Sequence, residues 1–166
     1  MSAQTVGAWR DLLADVMDPE LPFLSLADLG VLRDVRLGDD GQVVVELTPT
    51  YSGCPALEAM RDDVVSRLTS QGVAQVEVRI VLLPAWSTDD ISDRGREQLA
   101  AAGIAPPSRT TSLLALGPTR LLPPACPLCS STETIELSRF AATSCQSLWR
   151  CQACREPFPH FKQLPP

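Results

Sequence analysis

Apolar residues in the first half of the chain follow a helical spacing, then a strand-like alternation, then each of these again. The first helical pattern covers residues 6–16 and must end shortly before Pro19. Two alternating stretches follow, at 31–37 and 43–47, and a Gly-Asp-Asp-Gly turn separates them. Two strand-like runs around such a turn predict a β-hairpin.

The same alternation of patterns predicts how the domain closes. A second helical pattern covers 55–72, and a third strand-like stretch follows at 76–82. The order helix, strand, strand, helix, strand allows the last strand to lie beside an earlier one after a crossover helix. A further short helix is predicted over 89–102, with Ser87 or Thr88 as its N-cap.

Composition changes toward the C-terminus, which indicates a second folding unit. Residues 104–124 are rich in proline and show no clear periodicity, and five of the six cysteines lie after residue 125. We therefore predict an α+β protein. It has a small α/β layer domain at 1–103, a Pro-rich linker at 104–124 and a four-cysteine ribbon at 125–166.

The charge distribution narrows the range of partners. The formal net charge is −6, and the first 83 residues alone carry 13 acidic and 6 basic side chains. Because an acidic body is a poor match for a phosphate backbone, nucleic acid is disfavoured as a partner. The chain shows neither a signal-peptide pattern nor an apolar stretch long enough for a membrane span, so we expect a cytoplasmic protein with no membrane partner.

Four cysteines near the C-terminus form two CxxC pairs, Cys126 with Cys129 and Cys151 with Cys154, and 21 residues separate the pairs. Two such knuckles on neighbouring hairpins can complete one tetrahedral site, which is the pattern of a zinc ribbon. An iron–sulfur cluster would suit four thiolates equally well, and a coincidental spacing is the remaining alternative. Cys145 stands apart as a packing residue, a substitute ligand or a reactive thiol.

Cys54 is the cysteine that lies outside this group. It precedes Pro55 at the junction of the second strand and the second helix, which predicts that it occupies the N-cap position. The helix dipole would lower the pKa of a thiol there and make it a nucleophile or a soft-metal ligand, whereas the alternative is a small buried packing residue. Cysteine–histidine catalysis is disfavoured because the single histidine, His160, lies in the predicted ribbon.

Three carboxylates precede the hairpin, those of Asp18, Glu20 and Asp28. Carboxylates in such segments either take part in acid–base chemistry or cap turns. Sequence alone leaves both roles open.

Several motifs resemble known families. One set resembles the small domain of the metal-sulfur cluster biosynthesis family, which is related to SufT and to eukaryotic cytosolic iron–sulfur targeting factors: Asp18-Pro19-Glu20, Asp28-Leu29-Gly30 and Thr48-Pro49-Thr50-Tyr51-Ser52-Gly53-Cys54-Pro55. A second set is similar to the PaaD family, which is encoded with the bacterial multicomponent phenylacetyl-CoA epoxidase: Pro84-Ala85-Trp86, Gly95-Arg96, Gly103-Ile104-Ala105-Pro106-Pro107 and the four-cysteine ribbon. The resemblance spans nearly the whole chain.

The resemblance implies an accessory protein of aerobic phenylacetate degradation. Its role would be to assemble or deliver an iron–sulfur cluster to the epoxidase, above all to its ferredoxin-bearing reductase component. The cysteine of the family falls on Cys54 and its acidic motif on Asp18 and Glu20, with Thr48 and Thr50 completing a pocket for iron or a transient cluster. A homodimer, a partner thiol or glutathione would have to complete the ligands of that cluster.

Within the ribbon, the resemblance implies a structural zinc ion and a family cysteine at Cys145. The family pattern has a lysine after that cysteine, where this chain has Gln146.

Two other function classes remain open at this point. The chain is alternatively a non-catalytic structural subunit of the epoxidase complex that binds through its ribbon. An enzyme that attacks a CoA thioester with Cys54 would need a base, and no histidine is placed to provide one.

Overall fold

The predicted order of helices and strands is present in the first half of the chain. The structure is a computed structural model, and it describes residues 3–51, 53–108 and 122–163. Its first five elements are helix α1 (Ala3–Leu13), strands β1 (Leu32–Leu37) and β2 (Val43–Leu47), helix α2 (Leu57–Thr69) and strand β3 (Val76–Ile80). The α+β class is therefore confirmed.

The three strands form one mixed sheet in the order β1, β2, β3. Strands β1 and β2 are antiparallel, with Val35 opposite Val45, and β3 runs parallel to β2, with Val78 opposite Val45. A parallel neighbour requires a crossover connection, and α2 provides it. The predicted crossover is confirmed.

Apolar side chains from all of these elements except β3 form the core. Helix α1 ends at Leu13, earlier than the apolar pattern predicts, and Val16 is buried in the loop that follows. The chain turns back there because Met17 pairs with Ser25 in an isolated antiparallel bridge. The core residues are each at most 8% exposed: Trp9, Leu13, Val16, Val35, Val43, Val45, Leu47, Met60, Val64 and Leu68.

The helix predicted over 89–102 is divided in two, a 3₁₀ turn at Thr88–Asp90 and helix α3 at Asp93–Ala101. Two serines account for the break because each caps its own segment. The Ser87 hydroxyl accepts from the Asp89 amide at 3.2 Å, and the Ser92 hydroxyl accepts from the Gly95 amide at 2.9 Å. The three described α-helices have 11, 13 and 9 residues, and none of the helices in the described ranges is long and apolar enough to cross a bilayer.

A second unit begins after Gly95, whereas the sequence predicts the boundary at residue 103. It contains the antiparallel strands β4 (Thr134–Ser138), β5 (Gln146–Cys151) and β6 (Pro157–Phe161), with β5 in the centre. Ala105, placed in the linker by the sequence analysis, instead exchanges backbone hydrogen bonds with Pro159 and Phe161 at 2.8 and 3.0 Å. Most of the predicted linker, 109–121, lies outside the described residues.

Gly30 lets the loop before β1 lie directly against Asp90. Its φ is +77°, and a Cβ atom there would be 2.5 Å from the Asp90 carbonyl oxygen. The Asp90 carboxylate also accepts two hydrogen bonds from Arg33, at 2.9 and 3.0 Å. Although burial raises it, the Arg33 guanidinium and the Ser87 amide hold the pKa of Asp90 below its usual value. The loop and the 3₁₀ turn are thus joined by close packing and by a paired charge.

We predict that Gly30→Ala lowers the free energy of unfolding by about 3 kcal/mol, because the new methyl group adds a clash to the cost of a left-handed backbone. Urea denaturation measures this change. The matched control is Gly72→Ala, since Gly72 has a φ of +84° but open space around its Cβ position, and it should cost only about 1 kcal/mol. Equal losses for the two variants would contradict the close contact with Asp90.

Candidate metal and thiol sites

The four CxxC cysteines converge on one point in the second unit. The sulfur atoms of Cys126, Cys129, Cys151 and Cys154 all lie within 4.8 Å of one another. Two of the distances join the two knuckles, 3.8 Å between Cys126 and Cys154 and 3.5 Å between Cys129 and Cys151. The structure therefore brings together the four residues that the sequence predicts as metal ligands.

The two knuckles repeat the same backbone geometry. The Cys126 amide donates to the carbonyl oxygen five residues later at 2.9 Å, and the Cys151 amide does the same at 3.0 Å. The residue after each second cysteine has a left-handed backbone, with φ of 62° at Ser130 and 70° at Arg155. This repeat explains how two separate segments present their sulfur pairs to a common centre.

The thiols perturb one another strongly. The Cys154 amide, 3.5 Å from the Cys151 sulfur, and the neighbouring thiols lower the pKa of Cys151 to about 6. Although the Glu156 amide lowers it, burial and the neighbouring thiols raise the pKa of Cys154 to about 12. One thiolate thus forms readily while another is suppressed, because several negative charges this close need a cation.

The spacing fits a single tetrahedral ion. Zinc–sulfur bonds of about 2.3 Å place the sulfurs of a tetrahedral site about 3.8 Å apart, close to the distances observed between the knuckles. Thiolates on different iron atoms of a multi-iron cluster would lie farther apart. All four ligand positions of such an ion are filled by protein, as in structural metal sites.

Cys145 and His160 lie in the same unit but outside the thiol cluster. Cys145 is buried, and its sulfur lies 3.0 Å from the Thr143 hydroxyl. His160 has an edge-to-face contact with Trp149, and its Nδ1 lies 3.4 Å from the Ser147 hydroxyl. Burial lowers the pKa of His160 to about 4, so this imidazole is neutral at physiological pH.

Cys54 lies two residues before the N-cap of α2, which is Ala56, so the predicted cap position is wrong. The predicted low pKa is wrong as well. Burial of the half-buried side chain raises the pKa of the Cys54 thiol, and the charges of Glu20 and Asp18 raise it further. Hydrogen bonds from the amides of Ala56 and Leu57 oppose this shift but do not outweigh it.

Asp18 and Glu20 belong to one tight turn, and the structure brings them within electrostatic reach of Cys54. The Asp18 Oδ1 accepts from the amides of Glu20 and Leu21, both at 2.8 Å, and the side chain is 4% exposed. Burial raises the pKa of Asp18, and burial together with the Asp18 charge raises that of Glu20. Three acidic groups that all favour their protonated forms therefore share one region.

The two predicted threonines differ in their surroundings. Thr48 follows the end of β2 and is 2% exposed, and its hydroxyl has no hydrogen-bond partner among the described residues. An orphaned buried hydroxyl is costly in a purely structural setting and is consistent with a ligand or water in this region. Thr50 is half-buried, and its place in the predicted pocket stays a prediction.

Asp28 is engaged in structural contacts, as one of its two sequence interpretations expected. It accepts hydrogen bonds from the hydroxyls of Ser25 and Ser92, and it pairs with Arg94 at 2.9 Å. The sequence analysis missed this connection, because it treated Ser92 as the interior of a helix. The signal available was a second serine three residues before Gly95, which is an N-cap pattern.

A shallow cavity of about 470 Å³ lies in the first unit, lined by Trp9, Gly41 and residues 71–75. None of the predicted site residues lines it. It therefore adds nothing to the thiol and carboxylate region.

Comparisons with known proteins assign both units to families. Residues 9–79 match the family model described as an iron–sulfur cluster assembly protein, and residues 109–162 match the PaaD zinc beta ribbon domain. A protein of Escherichia coli (strain K12), described as a 1,2-phenylacetyl-CoA epoxidase subunit, is 41% identical over 91% of this chain and 88% of its own length. This chain belongs to the PaaD family.

Other relatives of this PaaD family member match its first unit. An Fe-S protein maturation auxiliary factor from Porphyromonas gingivalis (strain ATCC BAA-308 / W83) is 35% identical over 53% of this chain and 84% of its own length. The crystal structure of a domain of unknown function, DUF59, from Bacillus anthracis is 29% identical with a TM-score of 0.52, over 59% of this chain and 97% of that chain. Fold and family thus agree for the unit that carries Cys54.

We predict that Cys129→Ser abolishes tight binding of about one metal ion per chain, because a tetrahedral thiolate site loses one of its four ligands. Metal analysis after gel filtration measures the stoichiometry. Cys145→Ser is the matched control and should keep the ion, since the Cys145 sulfur lies outside the cluster. Loss of metal from the control, or its retention in Cys129→Ser, would contradict the assignment of ligands.

We also predict that Glu20→Gln raises the rate of Cys54 alkylation at pH 8 by roughly two- to threefold. Removal of a negative charge that raises the thiol pKa increases the fraction of reactive thiolate. Iodoacetamide labelling with mass spectrometry of the Cys54 peptide measures the rate. Glu58→Gln serves as a control on exposed α2, and an equal gain in that variant would contradict a local effect of Glu20.

Proposed function

We propose that this chain is a maturation factor that assembles or delivers an iron–sulfur cluster for the multicomponent phenylacetyl-CoA epoxidase. The observation that carries the proposal is the grouping of Cys54 with Asp18 and Glu20, in a domain of the iron–sulfur cluster assembly family. The named relatives support the same role, since one is described as an epoxidase subunit and another as a maturation factor. The proposed client is the ferredoxin-bearing reductase component.

The chemistry of the Cys54 site suits a transient cargo. With the thiol pKa raised, the empty site keeps Cys54 mostly protonated and weakly reactive. An arriving cationic iron centre displaces the thiol proton and is attracted by the carboxylates of Asp18 and Glu20. One half-buried thiolate leaves the remaining ligand positions to a partner thiol, a second copy of the chain or glutathione, so the cargo can be handed over.

The four-thiol cluster has a different role in this proposal. The ion that it holds is zinc, which fits the sulfur spacing and the zinc ribbon family of residues 109–162. When bound, zinc supplies a stabilising centre for the three-stranded unit rather than a reactive one. One zinc and no iron per chain, in protein purified without oxygen, is the expected elemental composition.

A structural subunit without a role in cluster handling is the second candidate. It is favoured by exposed apolar side chains on and after β4, with Ile135, Leu137 and Phe140 at 41%, 47% and 67% exposure. Apolar exposure of this kind suits a stable protein interface. Stoichiometric co-purification with the epoxidase would support this candidate, whereas substoichiometric dependence would support the maturation role.

We predict that Cys54→Ser lowers the iron–sulfur content of the co-expressed epoxidase reductase to the level found without this chain, because the single cargo ligand of the site is lost. Iron and sulfide analysis and visible absorbance of the purified reductase measure the content. Cys145→Ser is the control and should leave loading unchanged. Undiminished loading with Cys54→Ser would refute the maturation role.

A further inference from the structure

The position of Asp18 and Glu20 depends on the geometry of one short loop. We call residues 17–25 the acid loop. Its ends are joined by the bridge between Met17 and Ser25, and the Asp18 amide donates to the Leu24 carbonyl oxygen at 2.9 Å. The orientation of the two carboxylates is therefore tied to the placement of Leu24 and Ser25.

A second segment holds this end of the acid loop. We call residues 86–95 the brace. Its Ser92 donates twice to Asp28, from the hydroxyl to Oδ1 at 2.7 Å and from the amide to the carbonyl oxygen at 2.9 Å. Asp28 Oδ2 in turn accepts from the Ser25 hydroxyl at 3.0 Å. A continuous chain of hydrogen bonds thus runs from the brace to the acid loop.

Close packing reinforces these hydrogen bonds. A Cβ atom on Gly95 would lie 2.8 Å from the Asp28 carbonyl oxygen and 3.2 Å from Leu24 Cδ1. At the other end of the brace, the indole nitrogen of buried Trp86 donates to the Leu29 carbonyl oxygen at 2.9 Å. The brace consequently lies in direct contact with the residues that orient the acid loop.

We propose that Asp28, Ser92 and Gly95 are positioning residues that hold the carboxylates of Asp18 and Glu20 beside the Cys54 thiol. The brace lies beyond residues 9–79, the stretch that matches the iron–sulfur assembly family. Its importance for cargo handling rests on the proposed function, whereas its effect on the acid loop does not. The acidic surroundings of Cys54 are then set partly by a segment outside the matched domain.

The test compares Ser92→Ala and Asp28→Asn with the unaltered chain by amide hydrogen exchange. The amides of Glu20 and Leu21, which donate to Asp18, should exchange about 10-fold faster in both variants because the loop opens more often. Ser92→Thr keeps the hydroxyl and should restore slow exchange. Alkylation of Cys54 should also accelerate by roughly threefold as the carboxylates move away.

Two controls separate this effect from general destabilisation. Ser70→Ala removes a serine that caps locally on α2, and it should change neither readout. The core amides of α2 should keep their exchange rates in every variant. Because Ser92 also caps α3, faster exchange confined to α3 would overturn the proposal, as would unchanged exchange at Glu20 and Leu21 in Asp28→Asn.

The outcome is independent of iron delivery. Faster exchange at the acid loop combined with normal loading of the reductase by Cys54→Ser would refute the proposed function and leave the positioning role intact. Unchanged exchange combined with lost loading in Cys54→Ser would do the reverse.

Discussion

Mutual repulsion among clustered acidic groups is the constraint on which the second unit depends. Its four sulfurs lie within 4.8 Å of one another, and two of them, on Cys126 and Cys151, belong to its small buried core with Ala105 and Phe158. The protein cannot gather four thiolates at such distances without a cation to offset their charge. A unit with this little apolar core gains its stability from the ion that the thiols bind. Folding and metal binding are therefore one process in the ribbon.

The same constraint operates near Cys54 in a milder form. Three acidic groups share the region, and the pKa of each is raised by burial or by its neighbours. Here the groups belong to a folded domain whose core does not include them, so the domain tolerates their protonated forms. The region therefore favours a cation without needing one to fold. This difference distinguishes a site for cargo from a site for a structural ion.

Local patterns predicted what local chemistry determines, and tertiary contacts decided the rest. The metal ligands were predictable because CxxC spacing acts within one turn of chain, and the order of helices and strands followed from periodicity. The pKa of Cys54 was predicted in the wrong direction, because it depends on Glu20 and Asp18 from a distant loop. The divided helix after Ser87 and the early end of α1 have the same cause, since Ser92 and Met17 take partners far from their own helices in sequence or outside helical register.

The two sulfur sites also differ in how many ligand positions the protein leaves open. Four converging cysteines fill a tetrahedral site and leave no position for an incoming group, which disfavours exchange of the ion. Cys54 offers one half-buried sulfur with two carboxylates nearby, so any iron centre held there must share its coordination with another molecule. Exchange of that second molecule provides a route for both arrival and departure of the cargo. The chain thus keeps sulfur ligands in two units for opposite purposes, retention in the ribbon and transfer at Cys54.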